Sequence, residues 1–199
     1  MPTPSSSVAA ILLSGGASRR MGRDKSLLTI GGVTLAVRTG QLLTLVADTA
    51  IEVGPGVSGL PSFLESQRGE GPLVAVAAGA HALRELGHKG SALVVACDLP
   101  FLSEQLLRLV IEWDAPGSVV PVVKGRPQPL CAKWSPQDLR DAQDYVDRGV
   151  RSLQHLSNQS GVVYLDESDW GAVVTEEQFC DVDCPEDLVR LGLTSTLQV

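Results

Sequence analysis

Apolar residues fall into two rhythms along this chain. Short apolar stretches at 8–13, 49–53, 92–97 and 119–123 are too brief for a comfortable helix. The run at 92–97 is unbroken, the pattern of a central strand buried on both faces. Between these stretches the spacing turns helical. Leu35, Val37, Leu42, Leu43, Leu45 and Val46 mark a helix over 34–47, with Thr34 placed to cap it. Gly71-Pro72 opens a small-residue helix that runs to Leu86, where Gly87 stops it. Ser103 caps a helix to about 113, with Leu106, Leu107, Val110 and Ile111 facing inward. Ser135-Pro136-Gln137-Asp138 combines a serine cap, proline at the first helical position and an acid at the third, so a helix runs to 149.

Smaller pieces complete the pattern. Leu153 and Leu156 mark a short helix, and Pro185 begins a last one to 191. Brief strands are expected at 27–30, 63–64, 129–133, 162–165 and 179–182, with a turn at Gly125-Arg126 and a glycine- and proline-rich loop at 54–61. The two ends, 1–7 and 194–199, are expected to lack order. Alternating strands and helices predict an α/β fold, a Rossmann-like three-layer α/β/α arrangement around a mostly parallel sheet. In such sheets the ligand lies beyond the carboxyl ends of the strands. The first loop, 14–25, and Asp98 both fall there.

Composition agrees with a single domain over 1–199: 44% hydrophobic residues suffice for a core, and the 4% aromatic content suits buried Val, Leu and Ala strands. A net charge of -7 argues against a nucleic-acid or anionic-membrane binder, because such partners reward a broad basic face. No apolar stretch is long enough to span a bilayer, and residues 1–7 lack the basic-then-apolar order of a signal peptide, so the expected compartment is cytoplasmic. Cys97, Cys131, Cys180 and Cys184 contain no CxxC pair and read as reduced thiols. His81, His88 and His155 read as structural.

Against this acidic background one stretch is basic. Ser14 to Lys25 leaves the first strand through three glycines and sets Arg19, Arg20, Arg23 and Lys25 within seven residues. Glycines let backbone N–H groups close on an anion, and the local field attracts phosphate. Neither the dinucleotide fingerprint nor the Walker loop fits the spacing, since Ala17 and Arg20 replace two needed glycines and Asp24 precedes Lys25. What remains is Gly-Gly-x-Ser-x-Arg-Met-Gly-x-Asp-Lys. It resembles the signature of the molybdenum cofactor guanylyltransferases, the MobA family of the nucleotide-diphospho-sugar transferase-like superfamily. The match runs through Gly15, Gly16, Ser18, Arg20, Met21, Gly22, Asp24 and Lys25.

The resemblance implies a reaction: transfer of GMP from GTP to molybdopterin, with release of pyrophosphate. It implies catalytic roles for Arg20, Lys25 and Asp98, the last resembling the family's metal-binding aspartate in an Asp-x-Pro turn and so a ligand for Mg2+. The backbone at Leu13, Ser14, Gly15 and Gly16 and the Gly71-Pro72-Leu73 turn would meet the nucleotide. Glu65 stands near a family aspartate for base or ribose. Arg126 and Arg151 are candidates for the pterin phosphate, with surface solvation as the other reading. Near the end, Asp181 and Asp183 stand where the family has asparagines, and Cys184 where it has threonine. Asp181 is a candidate metal ligand, and Asp183 either joins the site or caps the last helix. Transient contact with molybdopterin-supplying proteins and acceptor molybdoenzymes would follow. The alternatives are a cytidylyltransferase, a sugar-phosphate nucleotidylyltransferase, a non-catalytic carrier of GTP or molybdopterin, and a dinucleotide-dependent oxidoreductase, which the glycine spacing disfavours.

Overall fold

The computed structural model describes residues 7–15, 25–65, 69–159 and 161–193. The chain opens with strand β1 (Ala9–Leu13), and a 3-10 turn at Lys25–Leu27 leads into a hairpin, β2 (Thr29–Ile30) and β3 (Val33–Thr34). Helix α1 (Leu35–Val46) follows, its first turn capped by the Thr34 hydroxyl, which accepts from the Val37 amide. Then come β4 (Thr49–Val53), β5 (Ser62–Phe63), α2 (Pro72–Glu85), β6 (Ala92–Ala96) and α3 (Glu104–Glu112), capped by Ser103. The second half holds β7 (Val119–Val123), β8 (Arg126–Pro127), β9 (Cys131–Trp134) and α4 (Pro136–Asp147), capped by Ser135. It ends with α5 (Gln154–Ser157), β10 (Val163–Leu165), α6 (Glu167–Trp170), a 3-10 turn at Glu176–Phe179 and α7 (Pro185–Arg190).

The main sheet has the order β10-β7-β9-β6-β1-β4-β5, with β8 paired to β7. β1 runs parallel to both β4 and β6, so their carboxyl ends share one edge. Every residue of β1 and β6 is buried, because helices cover both faces. One layer packs α2, α4 and α5 through Leu73, Leu83, Leu139 and Leu156. The opposite layer packs α1, α3 and α6 through Leu43, Leu106, Leu107 and Trp170. A third, small cluster joins Leu28, Leu35, Val182 and Leu188, tying α7 to the start of α1 and the turn before β2.

Three local expectations are corrected. Residues 179–182 do not form a strand: Phe179 ends a 3-10 turn, and the following segment touches the sheet by one bond, from the Val182 amide to the Asp98 carbonyl, at 3.0 Å. β6 already pairs with β1 and β9, so it has no free edge to offer. The β7–β8 turn is Lys124-Gly125, with φ of 49° and 74°, which puts Arg126 at the start of β8. Positive φ at both central residues matches the right-handed twist of a two-residue hairpin. Helix α6, which the hydrophobic pattern did not predict, is set by a reciprocal cap between Asp166 and Asp169.

Candidate active site

The parallel register delivers three chain segments to the same edge. β1 leads to Ser14 and Gly15, β4 to Gly54, and β6 to Cys97 and Asp98, whose register continues as the Cys97 amide donates to the Leu13 carbonyl at 3.0 Å. Lys25 reaches this edge from its 3-10 turn. Its ammonium lies 3.7 Å from an Asp98 carboxylate oxygen and donates to Asp183. The bond from Val182 to the Asp98 carbonyl fixes the chain between Asp181 and Asp183 against the same spot. Cys184, rather than Asp183, is the N-cap residue of α7, and Asp187 accepts from the amides of Asp183 and Cys184 at 2.8 and 3.0 Å. The Asp183 carboxylate therefore serves Lys25.

Crowding sets the electrostatics. Burial, together with the neighbouring charges of Asp181 and Asp183, raises the Asp98 pKa to about 6 even though Lys25 opposes the shift. Asp181 is pushed up by partial burial and by Asp183. Burial would lower the Lys25 pKa, but its hydrogen bond to Asp183 and the charge of Asp98 prevail and raise it. Among the described residues these carboxylates repel one another around one ammonium, a donor set that an added cation relieves. Among the described residues no group of three or more His, Cys, Asp or Glu side chains forms a ready-made metal cage. Magnesium does not need one, since it binds through one or two carboxylates and completes its shell with water and substrate phosphates. Asp98 and Asp181 fit that requirement.

Beyond these acids lies a cleft of about 710 Å³. Asp98 and Asp181 line one part of it, and Lys124, Arg126, Gln128, Glu176, Cys180 and Arg190 are among its other polar groups. Lys124 is held across the cleft by Glu176 at 2.9 Å. Its side chain and that of Arg190 were not singled out from sequence, because a lysine in a hairpin turn and an arginine on a terminal helix carry no local motif.

The remaining candidates gather differently. Glu65 comes close to Gly15: a side chain built at Gly15 would meet Glu65 Oε1 at 3.5 Å. Gly71 (φ 117°) lies so near the Arg151 carbonyl that an added Cβ would sit 2.7 Å from it, and the Leu73 amide donates to the same carbonyl at 3.2 Å. Arg151 does not line the cleft with Arg126. Its guanidinium donates to Glu70 at 2.9 Å and to the carbonyls of Val146 and Val150 at 2.8 and 3.1 Å, where it closes the end of α4 and braces the Gly71 turn. Gly16 and Arg20, with the rest of 16–24, lie outside the described residues. A residue missed entirely is Glu52, fully buried in β4 and hydrogen-bonded to Ser14. Its signal was a lone acid inside an otherwise apolar strand pattern.

The MobA-like NTP transferase domain matches residues 10–162 of this chain. The chain belongs to that family. Relatives agree along nearly its whole length. A molybdenum cofactor guanylyltransferase from Rhodobacter capsulatus is 32% identical over 191 residues, covering 92% of this chain and 94% of its own. A probable molybdenum cofactor guanylyltransferase from Nostoc sp. is 32% identical over 196 residues, covering 91% and 88%. Among solved structures, molybdopterin-guanine dinucleotide biosynthesis protein A from Archaeoglobus fulgidus superposes with a TM-score of 0.75 over 92% of this chain and 96% of that one. At 21% identity it shows a shared fold. The shared architecture is the mixed α/β sheet flanked by helices.

Proposed function

We propose that this member of the family transfers GMP from GTP to molybdopterin with release of pyrophosphate. The observation that carries the reading is the meeting of Lys25, Asp98 and Asp183 at the carboxyl edge of the sheet, beside a cleft lined by further cations. An oxygen of the molybdopterin phosphate attacks the α-phosphorus of GTP. A new P–O bond forms there, the bond from the α-phosphorus to the bridging oxygen breaks, and pyrophosphate carries away the electron pair. The attacking phosphate has a second pKa of about 6 and is largely dianionic near neutrality, so no general base is required. The protein's work is to align two anions and to neutralise the charge that builds on the leaving group.

Each residue then has a task. Lys25, kept charged by Asp183, holds the triphosphate, joined by Arg20 and the amide of Gly16, while Gly15, whose amide bonds the Val53 carbonyl, lets the chain pass close to the nucleotide. The backbone from Leu13 to Gly15 and the Gly71-Pro72-Leu73 turn contact the guanine, and Glu65 the base or ribose. Asp98 and Asp181 would hold Mg2+, which when bound would offset negative charge on the phosphates. Arg126, with Lys124 and Arg190, receives the pterin phosphate in the cleft. Arg151 acts on the Gly71 turn rather than on the acceptor.

Among the described residues no helix is long and apolar enough to cross a membrane. With four free cysteines, the proposed setting is the reducing cytoplasm, where the protein would meet molybdopterin-supplying proteins and acceptor molybdoenzymes in transient contacts. The direct test is pyrophosphate release with each of the four nucleoside triphosphates, with and without molybdopterin and Mg2+. Release only with GTP, acceptor and metal together is expected. A preference for CTP would assign the cytidylyl branch, and GTP binding without release would make the protein a carrier.

A further inference from the structure

Glu52 is a fully buried carboxylate that the proposed chemistry does not use. It stands beside Leu12 in the register of β1 and β4, two residues before the nucleotide loop begins at Ser14. Five donors converge on it. Oε1 accepts from the Ser14 hydroxyl and from the amides of Gly56 and Val57, at 2.8 and 3.1 Å. Oε2 accepts from the Ser58 amide at 2.9 Å and from the Ser58 hydroxyl. Burial alone would raise its pKa, but the bonds from Ser14 and Ser58 outweigh that and hold the carboxyl below the usual glutamate value. The side chain thus fills the place of a bound anion in a nest of three successive backbone amides, with Ser14 as a further donor from outside the loop.

The arrangement ties two segments to one group. Ser14 and Gly15 share the Val53 carbonyl, at 3.2 and 3.4 Å, and the 54–60 loop folds over them from the other strand. Gly54 leaves room for this contact, since a Cβ there would lie 2.0 Å from Ser14 Oγ. Rotating or releasing Ser14 would move the backbone that leads into the triphosphate loop. We propose that Glu52 is a positioning residue for the nucleotide. It fixes the start of the phosphate loop and the neighbouring 54–60 loop relative to each other, so that GTP meets a preformed surface.

This inference rests on the nucleotide reading given above. Glu52→Gln keeps the shape and removes one acceptor. If the amide nitrogen takes the place of Oε2 it faces the Ser58 N–H, and if it takes the place of Oε1 it faces those of Gly56 and Val57. One orientation leaves the buried Ser58 amide without a partner, the other the part-buried amides of Gly56 and Val57. In the full-length protein the variant is expected to raise KM and Kd for Mg-GTP at least tenfold, with kcat at saturating GTP within threefold of wild type. Amide hydrogen exchange should quicken in peptides covering 12–15 and 54–60, while the 92–96 strand stays protected. A residue that only stabilised the fold would lower kcat through the folded fraction and leave KM alone, and that pattern, or unchanged exchange, overturns the proposal. Should Glu52→Gln not fold, Ser14→Ala cuts the bond from Ser14 to Glu52 and should raise KM for GTP three- to tenfold, an unchanged KM again overturning it. A wild-type protein that bound no GTP would instead refute the functional reading, and the exchange data would still decide whether Glu52 holds the two segments together.

Discussion

Asp98→Asn should make the protein more stable near neutrality while destroying its activity. The folded-state pKa of Asp98 is about 6 against an ordinary value of 3.8, so the folded protein binds this proton more tightly than the unfolded chain does. Stability from this group is fully present below pH 3.8 and is lost as pH climbs through 6. A gap of about two units, at about 1.4 kcal/mol each, is about 3 kcal/mol by pH 7.5. The side chain is 24% exposed, so solvent screening removes little of this. Asparagine never ionises and escapes the loss. For a chain of 199 residues, about 3 kcal/mol corresponds to a rise in melting temperature of about 6 to 12 °C. Thermal melts of both proteins at pH 4, 5, 6, 7 and 8 would show it as a difference that opens with pH. Added MgCl2 should then raise the wild-type melting temperature more than that of the variant. Stability is a cleaner readout than rate here, because the acceptor's own phosphate titrates near pH 6. Melting curves that stay parallel across the pH range, or a variant less stable at pH 7.5 than at pH 4 relative to wild type, would show that Asp98 does not titrate this way in the folded protein.

Other perturbations separate the parts of the site. Lys25→Ala should abolish GMP transfer while circular dichroism stays native, and it should lower stability at neutral pH because Asp98 and Asp183 lose the charge that offsets them. Gly54→Ala drives a methyl into Ser14 Oγ, and should cost about 1 to 3 kcal/mol in chemical denaturation and weaken GTP binding by calorimetry. Leu188→Ala opens the small cluster under Val182, and should cost about 2 kcal/mol and reduce turnover more than a comparable truncation in α3, because Asp181 and Asp183 ride on that cluster. Arg126→Ala should raise KM for molybdopterin about tenfold, a loss of about 1.4 kcal/mol, and leave KM for GTP unchanged in steady-state assays.

The sheet could be read from sequence because its central strands are buried on both faces and its helices begin at recognisable caps. Thr34, Ser103 and Ser135 each bond the amide expected of them, and Gly87 follows α2 with φ 87°. Where a segment is held by single bonds and side chains, local pattern said less. The 179–182 stretch has strand composition but is placed by the Asp98 carbonyl, a partner 84 residues away at its Val182 contact. Lys25 and Asp98 were legible as chemistry through the resemblance, and the parallel register explains why they meet. Arg151 makes the contacts of a brace for α4, a role that sequence alone does not separate from a phosphate contact. Glu52 went unnoticed because the donors that make its burial tolerable come from a loop whose conformation no short-range rule predicts.

Following label from GTP in a purified reaction with molybdopterin and Mg2+ tests GMP transfer at this site most directly. Phosphorus label at the α position should appear in the pterin product and label at the γ position in pyrophosphate, with both transfers lost in Lys25→Ala. Retention of the α label in free nucleotide, or full transfer by the Lys25 variant, would contradict it.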